Sequence, residues 1–141
     1  MPRIAAFPAA TQERLATPVA DIMRPGVITM AEGASLLQAK RAMVRHGVHA
    51  ILIVGEGDGK ALGWVSADGL LAWLERDLSA VPASQGITEP ARRVDADATA
   101  RDALEALLDS GVSHLVVTAP DSELPHGVVG AMDLVDLVTH P

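Results

Sequence analysis

The stretch Gly63-Trp64-Val65-Ser66-Ala67-Asp68-Gly69 reappears, altered, as Gly127-Val128-Val129-Gly130-Ala131-Met132-Asp133. Each runs glycine, two apolar residues, a small residue, then an acid near the start of an apolar, helix-like run. The two lie 64 positions apart, and the same offset carries Met43 onto Leu107, Gly47 onto Gly111, Ile51 onto Leu115, Val65 onto Val129 and Leu70 onto Leu134. Self-similarity at one offset over helix, strand, turn, strand and helix marks an internal repeat. A unit of half this length would bury too little surface to be stable alone, whereas two that share a core would not face that limit. With a hydrophobic fraction of 49% but only 2% aromatics, that core must be aliphatic.

Punctuation residues locate the elements within each copy. Thr17-Pro18-Val19-Ala20-Asp21-Ile22-Met23 reads as one helical turn, with Thr17 as N-cap and Pro18 at the first helical position. Pro25-Gly26 ends it, and Val27-Ile28-Thr29-Met30 is a short β-like run. Ser35-x-x-Gln38 has capping-box spacing and opens a helix with Leu36, Ala39, Met43 and His46 on its apolar face. Gly47 stands where a left-handed C-terminal cap belongs. Ala50-Ile51-Leu52-Ile53-Val54 is a continuous apolar run, the pattern of a buried strand. A turn over 55–60 leads to a strand over 62–65, and Ser66 caps a helix expected over 67–78. In the second copy Thr99-x-x-Asp102 opens a helix with the stripe Ala103, Leu104, Leu107 and Leu108, and Gly111 ends it. Leu115-Val116-Val117 and Val128-Val129 are strands, and the last helix covers 132–138. Residues 1–16 read as an N-terminal arm, or as a short helix around Thr11–Ala16 that packs on the body. The expected division is arm 1–16, first repeat 17–80, linker 81–90 and second repeat 91–141.

Eleven basic and eighteen acidic residues give a net charge of −7. Such a chain repels phosphate backbones and anionic membranes at long range, so neither nucleic acid nor a lipid surface is an expected partner. A local phosphate site remains open, because a helix N-terminus and one cation suffice. The absence of cysteine excludes disulfides, thiolate catalysis and zinc–thiolate sites. The first residues lack the apolar stretch of a signal peptide and no run reaches membrane-spanning length, so a cytoplasmic protein is expected.

The order short strand, helix, two strands, helix, twice over, resembles a tandem pair of CBS domains, the family named after cystathionine β-synthase. The residues that carry the resemblance are Asp21-Ile22-Met23 with Pro25, Gly47-Val48-His49, Gly111-Val112-Ser113-His114-Leu115 and the two glycine motifs. It covers roughly residues 17–140. It implies an α/β (α+β) fold of two pseudo-symmetric β-α-β-β-α repeats packed through their sheets, frequent homodimerisation, and two clefts for adenosine-containing ligands such as AMP, ATP or S-adenosylmethionine. In the family the motif's Ser/Thr contacts phosphate and its Asp the ribose hydroxyls. The resemblance further implies a stand-alone regulatory sensor, or a subunit that binds a regulated enzyme or transporter.

Each motif lacks a different half of that polar pair. In the first, Ser66 is present but the family's aspartate position is Gly69; Asp68 stands one residue early, about 100° around a helix, and reads as a first-turn acid that complements the dipole. In the second, Asp133 is in position but the hydroxyl position is Gly130, which leaves phosphate to backbone amides. Asp133 reads equally as a ribose ligand or as a first-turn helix acid. The second cleft is therefore the expected nucleotide site, with Gly127, Gly130, Asp133, Val94, His114 and Leu115. The first, with Gly63, Ser66, Val27, Ile28, Ala50 and Ile51, is expected to be impaired. The motif glycines are expected to let a ligand approach the backbone.

The other residues favour plain roles. His46 and His49 flank Gly47, and His114, His126 and His140 lie too far apart for a recognised ligand set, so no metal is expected. Trp64 and Trp73 fall on Val128 and Leu137 in the other copy and read as core. No nucleophile–base or two-carboxylate arrangement appears, so an enzyme is not expected. The two functions left are a regulatory module that binds an adenosine-containing ligand, with no required cofactor, and a ligand-free dimerisation or interaction module with degenerate clefts.

Overall fold

The structure is a computed structural model and describes residues 7–139. His140 and residues 1–6 of the expected arm lie outside the described residues. In chain order come helix α1 (Ala9–Arg14), strands β1 (Arg24–Pro25) and β2 (Thr29–Ala31), helix α2 (Leu36–His46), strands β3 (Ala50–Val54) and β4 (Ala61–Ser66), and the short helix α3 (Ala67–Leu70). Then follow β5 (Glu89–Pro90), β6 (Arg92–Asp95), α4 (Ala100–Ser110), β7 (His114–Thr118), β8 (Pro125–Gly130) and α5 (Ala131–Thr139). The chain forms two compact units, one of Val27–Ala91 and the other of the N-terminal segment to Gly26 together with Arg92 onward.

Each unit holds a four-stranded sheet of the same design. One sheet runs β2-β3-β4-β5 and the other β6-β7-β8-β1. In each, a parallel pair (β2 with β3, β6 with β7) is followed by an antiparallel hairpin and an antiparallel edge strand. The repeat holds to single-residue register: Ile51 faces Val65 as Leu115 faces Val129, and both hairpins shift register at equivalent points, between Ile53 and Val54 and between Val117 and Thr118. The edge strands exchange sheets relative to the chain order. β1, which leads into the first repeat, pairs with β8, and β5, which leads into the second, pairs with β4. Each carries a proline, Pro25 or Pro90, which ends further pairing at that edge.

The segment expected as a linker is built as the counterpart of 17–26. Turns of 3-10 helix over Val19–Asp21 and Ala83–Gly86 are preceded by Pro18 and Pro82, which bridge to Thr99 and Ser35. The Ala100 and Leu36 N–H groups at the starts of α4 and α2 donate to the Thr17 and Val81 carbonyls. Thr17 thus serves through its carbonyl; the N-cap of the Val19 turn is Pro18, with no side-chain cap bond. Residues 7–16 pack as the helix alternative anticipates. Leu15 is fully buried, and the Arg14 guanidinium donates to the Val138 carbonyl at 2.9 Å.

Both long helices carry complete capping boxes, Ser35 with Gln38 and Thr99 with Asp102, and both end in a left-handed glycine, Gly47 (φ 64°) and Gly111 (φ 73°). The helix expected over 67–78 stops at Leu70 and relaxes into 3-10 turns. Gly69 explains the difference, because a glycine inside a helix costs about 1 kcal/mol; α5, with Asp133 at that place, runs nine residues. The cores are aliphatic. Leu36, Ala39, Met43, Ile51, Val65 and Leu70 fill one, and Ala100, Ala103, Leu107, Leu115, Val129 and Leu134 the other, each 64 positions on. His46 and Leu108 depart from their expected stripes and are exposed.

Candidate functional site

The two glycine motifs form the corners β4–α3 and β8–α5, where a strand hands over to a helix N-terminus. Chain neighbours and cross-strand partners set what stands there. Opposite Ser66 on β3 is Ala50; opposite Gly130 on β7 is His114. A Cβ at residue 130 would stand 2.8 Å from His114 Cδ2 and 3.1 Å from Nε2. The missing hydroxyl is therefore one side of an exchange: small beside serine in one unit, imidazole beside glycine in the other.

The acid position shows the same exchange. In the unit without it, a Cβ at Gly69 would meet Thr88 Cγ2 at 2.9 Å and Ser66 Oγ at 3.1 Å. The Gly69 N–H donates to Ser66 Oγ at 3.0 Å, and the Ala67 N–H donates to the His49 carbonyl. In the other unit Asp133 reaches back and accepts the Gly130 N–H on Oδ2 at 2.7 Å, and Arg24 Nε stands 3.7 Å from the same oxygen. The Asp133 side chain is 18% exposed and the Arg24 side chain 64%. By sheet register the counterpart of Arg24, which faces Val128, is Glu89, which faces Trp64. One corner thus gathers Arg24, His114 and Asp133, and the other Ala50, Ser66, Gly69, Thr88 and Glu89.

The remaining sequence candidates fall as follows. Val94, Leu115 and Ile51 are core residues, so in the described units their side chains face packed neighbours. Ile28 packs on its core from a half-buried position, and Val27 and Ala50 are half-buried. Gly63 and Gly127 are tied to the edge strands. A Cβ at 127 would stand 2.6 Å from the Arg24 carbonyl oxygen and one at 63 would stand 2.8 Å from that of Glu89. The backbone they admit is therefore that of β1 or β5. The Gly130 N–H, anticipated as a phosphate donor, is taken by Asp133. Arg24 and Thr88 were not legible as site residues; the only sequence hint is that Arg24 sits inside the Met23–Pro25 segment and Thr88 just before Glu89-Pro90.

The CBS domain family model matches residues 19–76 and again 85–140. This chain belongs to the CBS domain family. It is a tandem CBS pair, and solved structures with the same fold agree. The CBS domain of a bacterial CNNM/CorC family Mg2+ transporter in complex with ATP has 23% identity and a TM-score of 0.80 over 92% of each chain. A CBS domain protein from Pyrobaculum aerophilum complexed with AMP has 18% identity and a TM-score of 0.72 over 86% of this chain and 98% of its own. Hypoxic Response Protein I with two coordinated zinc ions has 23% identity and a TM-score of 0.71 over 84% and 97%. No curated protein matches the chain in sequence.

Within this CBS pair the two corners offer different chemistry. Both contacts of Asp133 given above fall on Oδ2, and its side chain is partly exposed. Arg24, its side chain mostly in solvent, is a cation on a two-residue edge strand. The Ser66 corner carries no acid at the Asp133 position. Among the described residues no group of three or more His, Asp or Glu side chains is placed to hold a metal ion, and no helix is long and apolar enough to cross a membrane.

Proposed function

We propose that this CBS pair is a regulatory module that binds one adenosine-containing ligand at the Arg24–His114–Asp133 corner and passes its bound state to a partner protein. The observation that carries this reading is Asp133, an acid 18% exposed, held by the Gly130 N–H and set 3.7 Å from Arg24. Its second oxygen accepts from ribose hydroxyls, and Arg24 turns from Asp133 toward a phosphate, which replaces one charge-assisted contact by another. Solved CBS structures that hold ATP or AMP support the ligand class; S-adenosylmethionine is the other member to test. The partner is an enzyme or a transporter, and the CBS domain of an Mg2+ transporter among the similar structures favours the latter. Ligand shifts the module between states by its differential affinity for them. The module acts in the cytoplasm, without catalysis of its own, as a homodimer. Exposed apolar residues at equivalent places on the helices of both units support that assembly: Val44 with Leu108, and Leu71 with Val135.

A second reading, a ligand-free interaction module, is favoured by the other corner, where Gly69 and Thr88 close the acid position. Thermal unfolding with millimolar AMP, ADP, ATP, S-adenosylmethionine and NAD separates the two. A ligand at a hundred times its dissociation constant adds about 2.7 kcal/mol, a shift of several degrees. Stabilisation by one ligand, lost in Asp133→Ala, supports the sensor. No shift with any of the five moves the assignment to the interaction module.

A further inference from the structure

An apolar recess of about 320 Å3 lies beside α2, walled by Lys40, Met43, Val48, His49, Ala67 and Leu70. It belongs wholly to the Val27–Ala91 unit, where α2, the chain entering β3 and the short α3 come together. Most of its walls stay apolar across the repeat: Met43 answers to Leu107, Val48 to Val112, Ala67 to Ala131 and Leu70 to Leu134. Two do not. At the place of Lys40 the other unit has Leu104, half-buried and packed on that unit's core, and at the place of His49 it has Ser113. A leucine packed inward in one copy is an exposed lysine in the other, which leaves apolar walls uncovered beside a cation.

Lysine lays its methylene stem along apolar surface and keeps its ammonium in water. Lys40 walls the recess yet is exposed, so it sets a positive charge at the mouth. α2 carries Lys40, Arg41, Arg45 and His46 and no acid, and Lys40, Arg41 and Arg45 make no ion pair among the described residues. In a chain of net charge −7 this is a local reversal of sign, and a local excess of one sign concentrates ligands of the other. We propose that the recess beside α2 binds a small anionic amphiphile, a carboxylate on an apolar body. The body lies against Met43, Val48, Ala67 and Leu70, and the carboxylate meets Lys40.

Size and wall chemistry set the ligand class. Small-molecule sites are mostly apolar, with a few polar groups that fix orientation, and span about 300–1,000 Å3. This recess has that make-up and stands at the small end of the range, which suits a short acyl chain or a single ring system. No acid walls it to accept ribose hydroxyls, and the Arg24–His114–Asp133 corner belongs to the other unit, so the proposal stands apart from the nucleotide reading. A neutral ligand gains nothing from Lys40, and a cationic one meets like charge from three unpaired side chains. A carboxylate instead forms a charge-assisted hydrogen bond with the ammonium.

Octanoate, octanol and octylammonium share one chain and differ in charge, so backbone amide NMR titrations of the full chain with each test the proposal. The expected result is that octanoate shifts the Val48, Ala67 and Leu70 amides with a dissociation constant at least about tenfold below those of the other two. Lys40→Leu, which copies Leu104, should abolish the response, and Lys40→Glu should reverse the order in favour of octylammonium. Arg41→Glu, on the same helix but off the wall, should leave the order unchanged and so separates a local contact from the general field. Both positions are exposed, and circular dichroism checks the fold of each variant. Octanoate that leaves those amides unmoved, equal affinity for the three probes, or a preference for octanoate that survives Lys40→Glu would each overturn the proposal.

Discussion

The exchange at the β8–α5 corner predicts a coupling that can be worked out before it is measured. Gly130→Ser restores the hydroxyl present at Ser66, but its Cβ must occupy space 2.8 Å from His114 Cδ2. Overpacking of this kind costs about 1–3 kcal/mol. The hydroxyl would cap α5 as Ser66 caps α3, by accepting an N–H three residues on, but serine over glycine at an N-cap is worth only a few tenths of a kcal/mol. The single variant should therefore lose about 1–2 kcal/mol. His114→Ala removes a half-buried ring and should lose about 1 kcal/mol. The double variant recreates the Ala50–Ser66 arrangement, so the serine's strain disappears while its cap remains. It should be more stable than the sum of the singles by about 1–2 kcal/mol, well beyond the ~0.5 kcal/mol scatter of independent sites. Urea unfolding of the four proteins at a common denaturant slope measures this directly. Additive losses would refute the claim that Gly130 is glycine because His114 fills its side-chain space. The mirror cycle, Ala50→His with Ser66→Gly, should show the same sign.

Two further outcomes follow from the structure. Thr118 is fully buried with no hydrogen-bond partner for Oγ1 among the described residues, and its repeat equivalent is Val54. Thr118→Val should raise stability by about 1 kcal/mol, seen as a melting temperature a few degrees higher; an unchanged or lower value would mean that the hydroxyl has a partner such as a buried water. Gly47 and Gly111 hold positive φ with nothing within 4 Å of an added Cβ. Alanine at either should cost about 1–2 kcal/mol through the backbone alone, with asparagine milder. Equal losses for alanine and asparagine would point to a packing cause instead.

The sequence by itself determined much of this protein. The offset of 64 predicted the duplicated architecture, and the capping boxes at Ser35 and Thr99, the left-handed glycines and the central strands all form as read. Those signals are local: a cap is satisfied within one helical turn, and a buried strand is apolar along its own length. The acid at 133 and the deficits at 69 and 130 were equally legible. What those deficits mean was decided only by tertiary structure. Arg24 and Asp133 lie 109 positions apart and meet because β1 crosses to the sheet of the second repeat, a pairing that no local pattern encodes. The same crossing explains Gly63 and Gly127, which accommodate a neighbouring strand's backbone. Apolar residues such as Leu115, Ile51 and Val94 read alike as cleft wall or core, since hydrophobicity does not state which neighbour covers a side chain; packing assigns them to the core. Likewise Val44 and Leu108 sit in apolar helix sequence, and only the finished units reveal that they face outward.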